Sequence, residues 1–283
     1  MPPSGSSTPS APLSLPRVLR WVQRWEFPRK LGLCDQLFGR ALARHGTCWV
    51  RTAVGPVWKL DLNNATHRWL VYGCYEGPGF WRWLRSQRPA CSTIVDSGAN
   101  IGQTVLNFSS LLPAARIVAY EPGSAAREWL AEGVAVNGLP RVTIEALGLG
   151  ASPGETFLTA VGPSDRHGAW NRIDDAQGEP VRITTLDREL DRHQIAVLDL
   201  WKLDMEGYEI HAVRGAARAL AAGRIRAIYA EAGPTGWETA AYLLPLGYSV
   251  WGISASGGLV AWRDTGRWDN ALFLAPGHPA IPR

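Results

Sequence analysis

Cysteine is scarce in this chain, with four residues, Cys34, Cys48, Cys74 and Cys91, none in a Cys-x-x-Cys pair and none at a zinc-finger spacing from histidine. A structural zinc site and a disulfide framework are therefore not expected. The thiols read as buried or half-buried groups in a reducing compartment. No apolar run approaches the ~20 residues that span a bilayer. The opening, MPPSGSSTPSAPLSLP, lacks a basic stretch followed by an apolar one, so it does not read as a signal peptide. The expected location is the cytoplasm. Acidic residues are rare at the start: residues 1–60 hold nine Lys+Arg against two Asp+Glu, and the remainder holds 20 against 23. The basic character belongs to the N-terminus. A nearly neutral body argues against a broad nucleic-acid-binding face, and no nucleic-acid partner is expected.

What is present suits a folded core. The 283 residues are 46% hydrophobic and 19% charged. That fits one large α/β domain with extra N-terminal structure, or two small domains. Residues 1–14 are rich in Ser, Pro and Gly and read as a disordered tail. Residues 15–90 read as an N-terminal extension. Within it, Leu15, Val18, Leu19, Val22 and Trp25 fall at helical spacing with Arg17, Arg20 and Arg24 between them. Such a helix could touch a membrane surface or a partner. Packing on its own domain with a solvated arginine face is the preferred reading, because the segment is short. Residues 47–62 read as a hairpin turning at Gly55-Pro56, and 79–88 as a Trp-rich helix.

From residue 91 the rhythm changes. Strand patterns lie at 93–97, 116–121, 141–147, 197–204, 225–231, 247–253 and 270–275. Helical patterns lie at 101–112, 124–137, 206–221 and 236–245. This alternation predicts an α/β fold, a doubly wound seven-stranded sheet, mostly parallel, with helices on both faces. The Gly- and Pro-rich stretch 151–190 interrupts it and reads as an inserted hairpin and loop. In such sheets ligands bind beyond the carboxyl ends of the strands, where the strand order reverses.

Distinctive residues fall at those ends. The first inner strand runs into Asp96-Ser97-Gly98-Ala99-Asn100-Ile101-Gly102. Glycine lets backbone turn tightly and approach a ligand, and free N–H groups at a helix start favour an anion. The second strand ends at Glu121-Pro122, where an acid can take both hydroxyls of a ribose. A dinucleotide site shows Gly-x-Gly-x-x-Gly. The loop here is Asp-x-Gly-x-Asn-x-Gly, which suits a pyrophosphate poorly.

Taken together, several segments resemble the FkbM family of methyltransferases. They are the Asp96–Gly102 loop, Glu121-Pro122, Asn137, Thr185-Leu186-Asp187, Lys202-Leu203-Asp204-Met205-Glu206-Gly207-Tyr208-Glu209 and Val213-Arg214-Gly215-Ala216. The resemblance covers about residues 70–275. It implies a class I, Rossmann-like fold that binds S-adenosylmethionine (SAM) and transfers methyl groups to hydroxyls of polyketide, macrolide or glycan acceptors. It places Asp96, Ser97, Gly98, Asn100, Gly102, Glu121 and Pro122 around the cofactor. Tyr75 and Glu76 match the family's entry segment and join that set. Ser97 departs mildly, standing where the family often has a small apolar residue.

Methyl transfer aligns acceptor oxygen, methyl carbon and sulfur, and removes the hydroxyl proton. Asp204, at a strand end, is the first choice as base. Glu231 ends the next strand and faces the same cleft if the two strands are neighbours. A divalent cation shared by Asp204 and Glu231 is the less favoured alternative. His167, in the inserted loop, is a further candidate base. Trp170 and Glu206 are candidate substrate contacts. The competing readings are an NAD-dependent oxidoreductase, which lacks its third glycine and a Tyr-x-x-x-Lys pair here, and a non-catalytic binding module.

Overall fold

A computed structural model of the chain describes residues 11–52, 55–88, 90–160, 171–174, 177–232, 236–262 and 269–280. Residues 1–10, most of the expected tail, lie outside these. β1 (Leu13–Ser14) is already paired, running parallel to β2 (Thr47–Arg51). β2 pairs antiparallel with β3 (Val57–Asp61), giving the hairpin expected over 47–62. The helix expected over 15–26 is shorter, α1 (Arg17–Val22). α2 (Lys30–Ala43) and α3 (Ala65–Tyr72) fall outside the periodic segments singled out above. Asn64 caps α3 by accepting from the Thr66 amide at 2.9 Å, a standard N-terminal device. α4 (Pro78–Ser86) opens with proline, whose missing N–H costs nothing there.

The main sheet then begins. β4 (Thr93–Ser97), α5 (Val105–Leu111), β5 (Arg116–Tyr120), α6 (Ser124–Val136) and β6 (Val142–Glu145) form its first half. The inserted stretch folds into a second, four-stranded sheet of β7 (Gly148–Leu149), β8 (Gly154–Ala160), β9 (Asn171–Asp174) and β10 (Glu179–Thr184). α7 (Leu186–Arg192) leads back to β11 (Leu200–Leu203). The helix expected over 206–221 is two helices, α8 (Glu209–Arg214) and α9 (Ala217–Ala221). The cause is long-range: the Asp187 carboxylate accepts from the amides of Arg218 and Ala219 at 2.9 and 2.8 Å and caps a second N-terminus there. β12 (Ala227–Ala232), α10 (Gly236–Leu243), β13 (Ser249–Ile253), β14 (Leu259–Ala261) and β15 (Asp269–Leu274) complete the chain.

The order across the main sheet is β14-β13-β15-β12-β11-β4-β5-β6. The seven expected strands are all present, and the three-residue β14 adds an eighth at the edge. β15 lies antiparallel between β12 and β13. Successive strand residues point to opposite faces. Ile94, Ile117 and Leu200 pack with α4 and α5, whereas Val95, Val118 and Trp201 pack with α7 to α10. Both faces are covered, so the inner strands read as apolar runs. A third cluster joins Leu19, Trp58 and Leu70 of the extension to Ile101, Leu106 and Trp129. Asn137 fastens the same contact, donating to the Val57 carbonyl at 2.7 Å and accepting from its amide at 2.8 Å. The sheet's strand order turns back at β4, so the carboxyl ends of β4, β5 and β11 surround the expected ligand position.

Candidate active site

The cleft forms where two strand ends pass unusually close. Gly98 takes φ +78° and Asn100 φ +49°. A Cβ on Gly98 would collide with the carbonyl oxygen of Asp204, at the end of β11. The ends of β4 and β11 meet only because residue 98 has no side chain. Asparagine is among the few residues that tolerate the left-handed region, and Asn100 Oδ1 here accepts from the next amide at 2.7 Å.

Glu121 closes the other side. The amides of Asn100 and Gly123 each donate to one of its carboxylate oxygens at 2.8 Å. Gly98, Asn100 and Glu121 thus line one cleft. Burial pushes the Glu121 carboxyl up to about 7, against the pull of those two amides and of Arg127. Tyr75 comes in from the entry segment, and Leu149, Leu158 and Ile173 from the small sheet.

Beside the cleft lies a cluster of acids around a single buried lysine. Lys202 Nζ sits 2.8 Å from Asp204 Oδ2 and 4.0 Å from Glu76 Oε1. The Tyr75 hydroxyl donates to the same Asp204 oxygen at 3.4 Å. Burial alone would lower the lysine's pKa, but Asp204, Asp96 and Glu76 outweigh it and hold it protonated, above the usual lysine range. The acids respond in turn. Burial first, then neighbouring acids, pushes Glu76 to about 7 and Asp96 to about 6, each held down in part by Lys202. Glu231 rises to about 8, from burial and then from Asp204, Glu206 and Glu209.

Of the residues chosen from sequence, Tyr75, Gly98, Asn100, Glu121, Pro122, Asp204 and Glu206 line the cleft. Five others do not. The Ser97 side chain turns into the core and accepts from Trp201 Nε1 at 2.9 Å, which accounts for a hydroxyl at that position. Ser97→Ala is expected to leave that indole N–H unpaired and cost about 1–3 kcal/mol. Chemical unfolding measures this, and an unchanged stability would dismiss the bond's importance. Asp96 lies buried behind the loop, where one carboxylate oxygen accepts from the Thr104 hydroxyl and Oδ1 has no partner among the described residues. Gly102 serves packing: a Cβ there would stand 2.7 Å from Leu130 Cδ1. Glu76 accepts from the Tyr229 hydroxyl and the Asn270 amide at 3.1 and 3.2 Å, and lines a second cavity of about 980 Å³ that shares Tyr75 with the first. Glu231 stands one position beyond the last paired residues of β11 and β12, with Oε2 buried and unpartnered among the described residues. His167 and Trp170 lie outside the described residues.

The Lys202–Glu209 motif divides its labour. Lys202 neutralises acids, Asp204 faces the cleft, and Glu206 and Gly207 take left-handed backbone at φ +54° and +96°. Glu209, not Glu206, is the acid in the first turn of α8, and its Oε1 accepts from the amides of Met205 and Gly207 at 2.7 and 3.3 Å. It braces the turn that presents Asp204. Sequence reasoning passed over Tyr120 and Met205, which also line the cleft. Each is the immediate neighbour of a chosen acid, and that adjacency was the available signal. A separate trio, Glu145, Glu189 and His193, could hold a metal ion by spacing. Arg192 already bridges it, with Nη2 2.8 Å from Glu145 and 2.5 Å from Glu189.

A strand order that reverses at β4, an antiparallel β15 between β12 and β13, and a glycine loop joined to a second-strand acid together define the class I, Rossmann-like methyltransferase fold. The methyltransferase FkbM domain family matches residues 96–251, more than half of the chain, and the protein belongs to that family. The match is shorter than the 70–275 suggested by the motifs. No curated protein matches the chain. Among solved structures, the chain is similar to precorrin-6y C5,15-methyltransferase from Geobacter metallireducens GS-15, with 12% identity, TM-score 0.37, and coverage of 69% of this chain and 85% of that one. It is also similar to the METTL16 methyltransferase domain, with 12% identity, TM-score 0.45, and coverage of 87% and 79%. A third is Aeropyrum pernix fibrillarin with bound S-adenosyl-L-methionine, with 14% identity, TM-score 0.37, and 65% of each chain covered.

Proposed function

We propose that the protein is a SAM-dependent O-methyltransferase acting on a hydroxyl of a small natural-product, polyketide or sugar-type acceptor. The observation that carries this reading is the charge of the site. Glu121, Asp204 and Glu206 line the cleft, and Asp204, Asp96 and Glu76 act together on the one buried lysine behind it, Lys202. A site with that excess of acid favours a cation and repels a pyrophosphate. SAM supplies an electrophilic methyl group on a positively charged sulfur. NAD carries two negative phosphates, which the cleft-lining carboxylates would repel.

The residues present fit that cofactor. Glu121 already accepts two amides, and an ionised carboxylate offers about four lone-pair sites, so it can still accept the two ribose hydroxyls. Leu149, Leu158 and Ile173 supply apolar walls for a flat base. Gly98, pressed against the Asp204 carbonyl, shapes the loop backbone beside which the amino-acid part would lie. Asp204, 2.8 Å from Lys202 and braced by the turn that Glu209 supports, accepts the acceptor's proton.

A pH signature follows. Ribose hydroxyls donate more strongly to the ionised form of Glu121, so binding lowers a carboxyl that otherwise stands near 7. Affinity is therefore fullest above pH 7 and falls on acidification, by at most about tenfold per pH unit from this one group. Glu121→Gln is expected to weaken SAM binding by about 1.5–3 kcal/mol and to remove this part of the pH dependence. Titration calorimetry across pH 5.5–8 reads both (about the range spanned by the shift). Equal affinity in the variant would take Glu121 out of the cofactor site.

A further inference from the structure

The N-terminal segment around α1 presents two apolar sides, and among the described residues only one is covered. Leu15, Leu19 and Val22 pack inward, within the cluster that includes α3. Val18, Trp21 and Trp25 point outward and are 48%, 57% and 55% exposed. The two indoles lie against each other, with ring centroids 5.3 Å apart, and form one continuous aromatic ledge. Arg17, Arg20 and Arg24, also exposed, flank it. The sequence grouped Val18 and Trp25 with Leu15, Leu19 and Val22, but the structure leaves both exposed beside the arginines.

Among the described residues no acid pairs with Arg17, Arg20 or Arg24. No acid occurs between Leu15 and Trp25. The two acids that follow are engaged elsewhere: Glu26 pairs with Lys30 at 3.1 Å and Asp35 with Arg68 at 2.7 Å. α2, packed on the same helix α3, adds exposed Leu33 and Leu37 with Arg40 and Arg44. The one neutral polar side chain of the ledge segment, Gln23, turns inward and donates to the Val71 carbonyl at 2.7 Å. A protein partner is usually read through directional polar contacts at the rim. This face offers aromatic depth and positive charge, with no acid and no outward neutral polar side chain between Leu15 and Trp25. Indole rings settle at the boundary between headgroups and acyl chains. Guanidinium groups bind phosphates in pairs of hydrogen bonds. Short basic amphipathic segments lie in that plane.

We propose that this face docks the protein peripherally on an anionic phospholipid bilayer, with Trp21 and Trp25 at the headgroup boundary and Arg17, Arg20 and Arg24 on lipid phosphates. Gln23, Arg24 and Glu26 also rim the second cavity, so docking sets that rim beside the lipid surface.

The test is co-sedimentation of the full chain with vesicles of phosphatidylcholine alone or with one third phosphatidylserine. Wild type is expected to pellet with the anionic vesicles, to stay in solution with the neutral ones, and to be released by high salt. Replacing Arg17, Arg20 and Arg24 with Gln lowers partitioning by about a hundredfold, since each basic side chain near such a surface contributes about fivefold. Trp21→Ser with Trp25→Ser lowers it by at least about tenfold. Both variants change exposed side chains, and a thermal melt matching wild type checks that they fold. Wild type remaining in solution with anionic vesicles overturns the proposal, as does equal binding by both variants. Dimerisation lost in the tryptophan variant, without vesicle binding, assigns the face to a second copy of the chain and likewise overturns it.

Discussion

Asp204→Asn is expected to lower turnover by about 10²–10⁴ while leaving SAM affinity nearly intact. The carboxylate lines the cleft at the end of β11, and one of its oxygens is held by Lys202 and Tyr75. The substitution keeps the shape and removes only the capacity to take a proton. Lys202 retains Asp96 and Glu76 as counter-charges, so the buried lysine is not left alone. Steady-state kinetics beside a binding titration separates the two effects. Full activity in this variant would remove Asp204 from the chemistry and turn attention to Glu231, the other strand-end candidate, on neighbouring β12. A large loss of cofactor affinity would instead make Asp204 a binding residue.

Gly98→Ala is the second large effect. Two penalties act at once. The residue sits at φ +78°, where a side chain costs about 1–2 kcal/mol. The new Cβ also meets the Asp204 carbonyl, which belongs to backbone and cannot rotate away. Gly138 gives the control. It has φ +61°, and a Cβ there would meet nothing within 4 Å, so Gly138→Ala carries the first penalty alone. The expectation is a loss of about 1 kcal/mol for Gly138→Ala and clearly more for Gly98→Ala. In the second variant SAM binding also falls by at least about a hundredfold, because spreading β4 from β11 moves the loop off Glu121. Denaturant unfolding with a binding titration measures both. Equal destabilisation with unchanged binding would show that the close approach is not what shapes the cleft.

Both predictions concern residues that the sequence exposes well, and the reason is local. Gly98, Glu121 and Asp204 each follow an apolar run whose length marks the end of an inner strand. Position along the strand is enough to bring them to one edge. The direction in which a side chain points is not local. Ser97 and Gly102 belong to the same loop, yet one bonds Trp201 and the other makes room for Leu130. Nothing in the loop's own spelling distinguishes them from ligand contacts. Glu76 is held by Tyr229 and Asn270, 153 and 194 residues away, so its turn toward the second cavity is invisible in its neighbourhood. α2 escaped notice because its apolar residues face both ways: Cys34 and Leu42 are buried, while Leu33 and Leu37 are exposed. The split between α8 and α9 depends on Asp187, some thirty residues upstream. The inserted stretch hid its strands behind glycine and proline, and with them the apolar wall formed by Leu158 and Ile173.

The measurement that bears most directly on the central claim compares the two candidate nucleotides on the wild-type chain. Titration calorimetry at pH 7.5 is expected to show micromolar binding of SAM and no heat from NAD, since the acid-rich cleft accepts a sulfonium and rejects a pyrophosphate. Binding of NAD with no binding of SAM would contradict the account at its root.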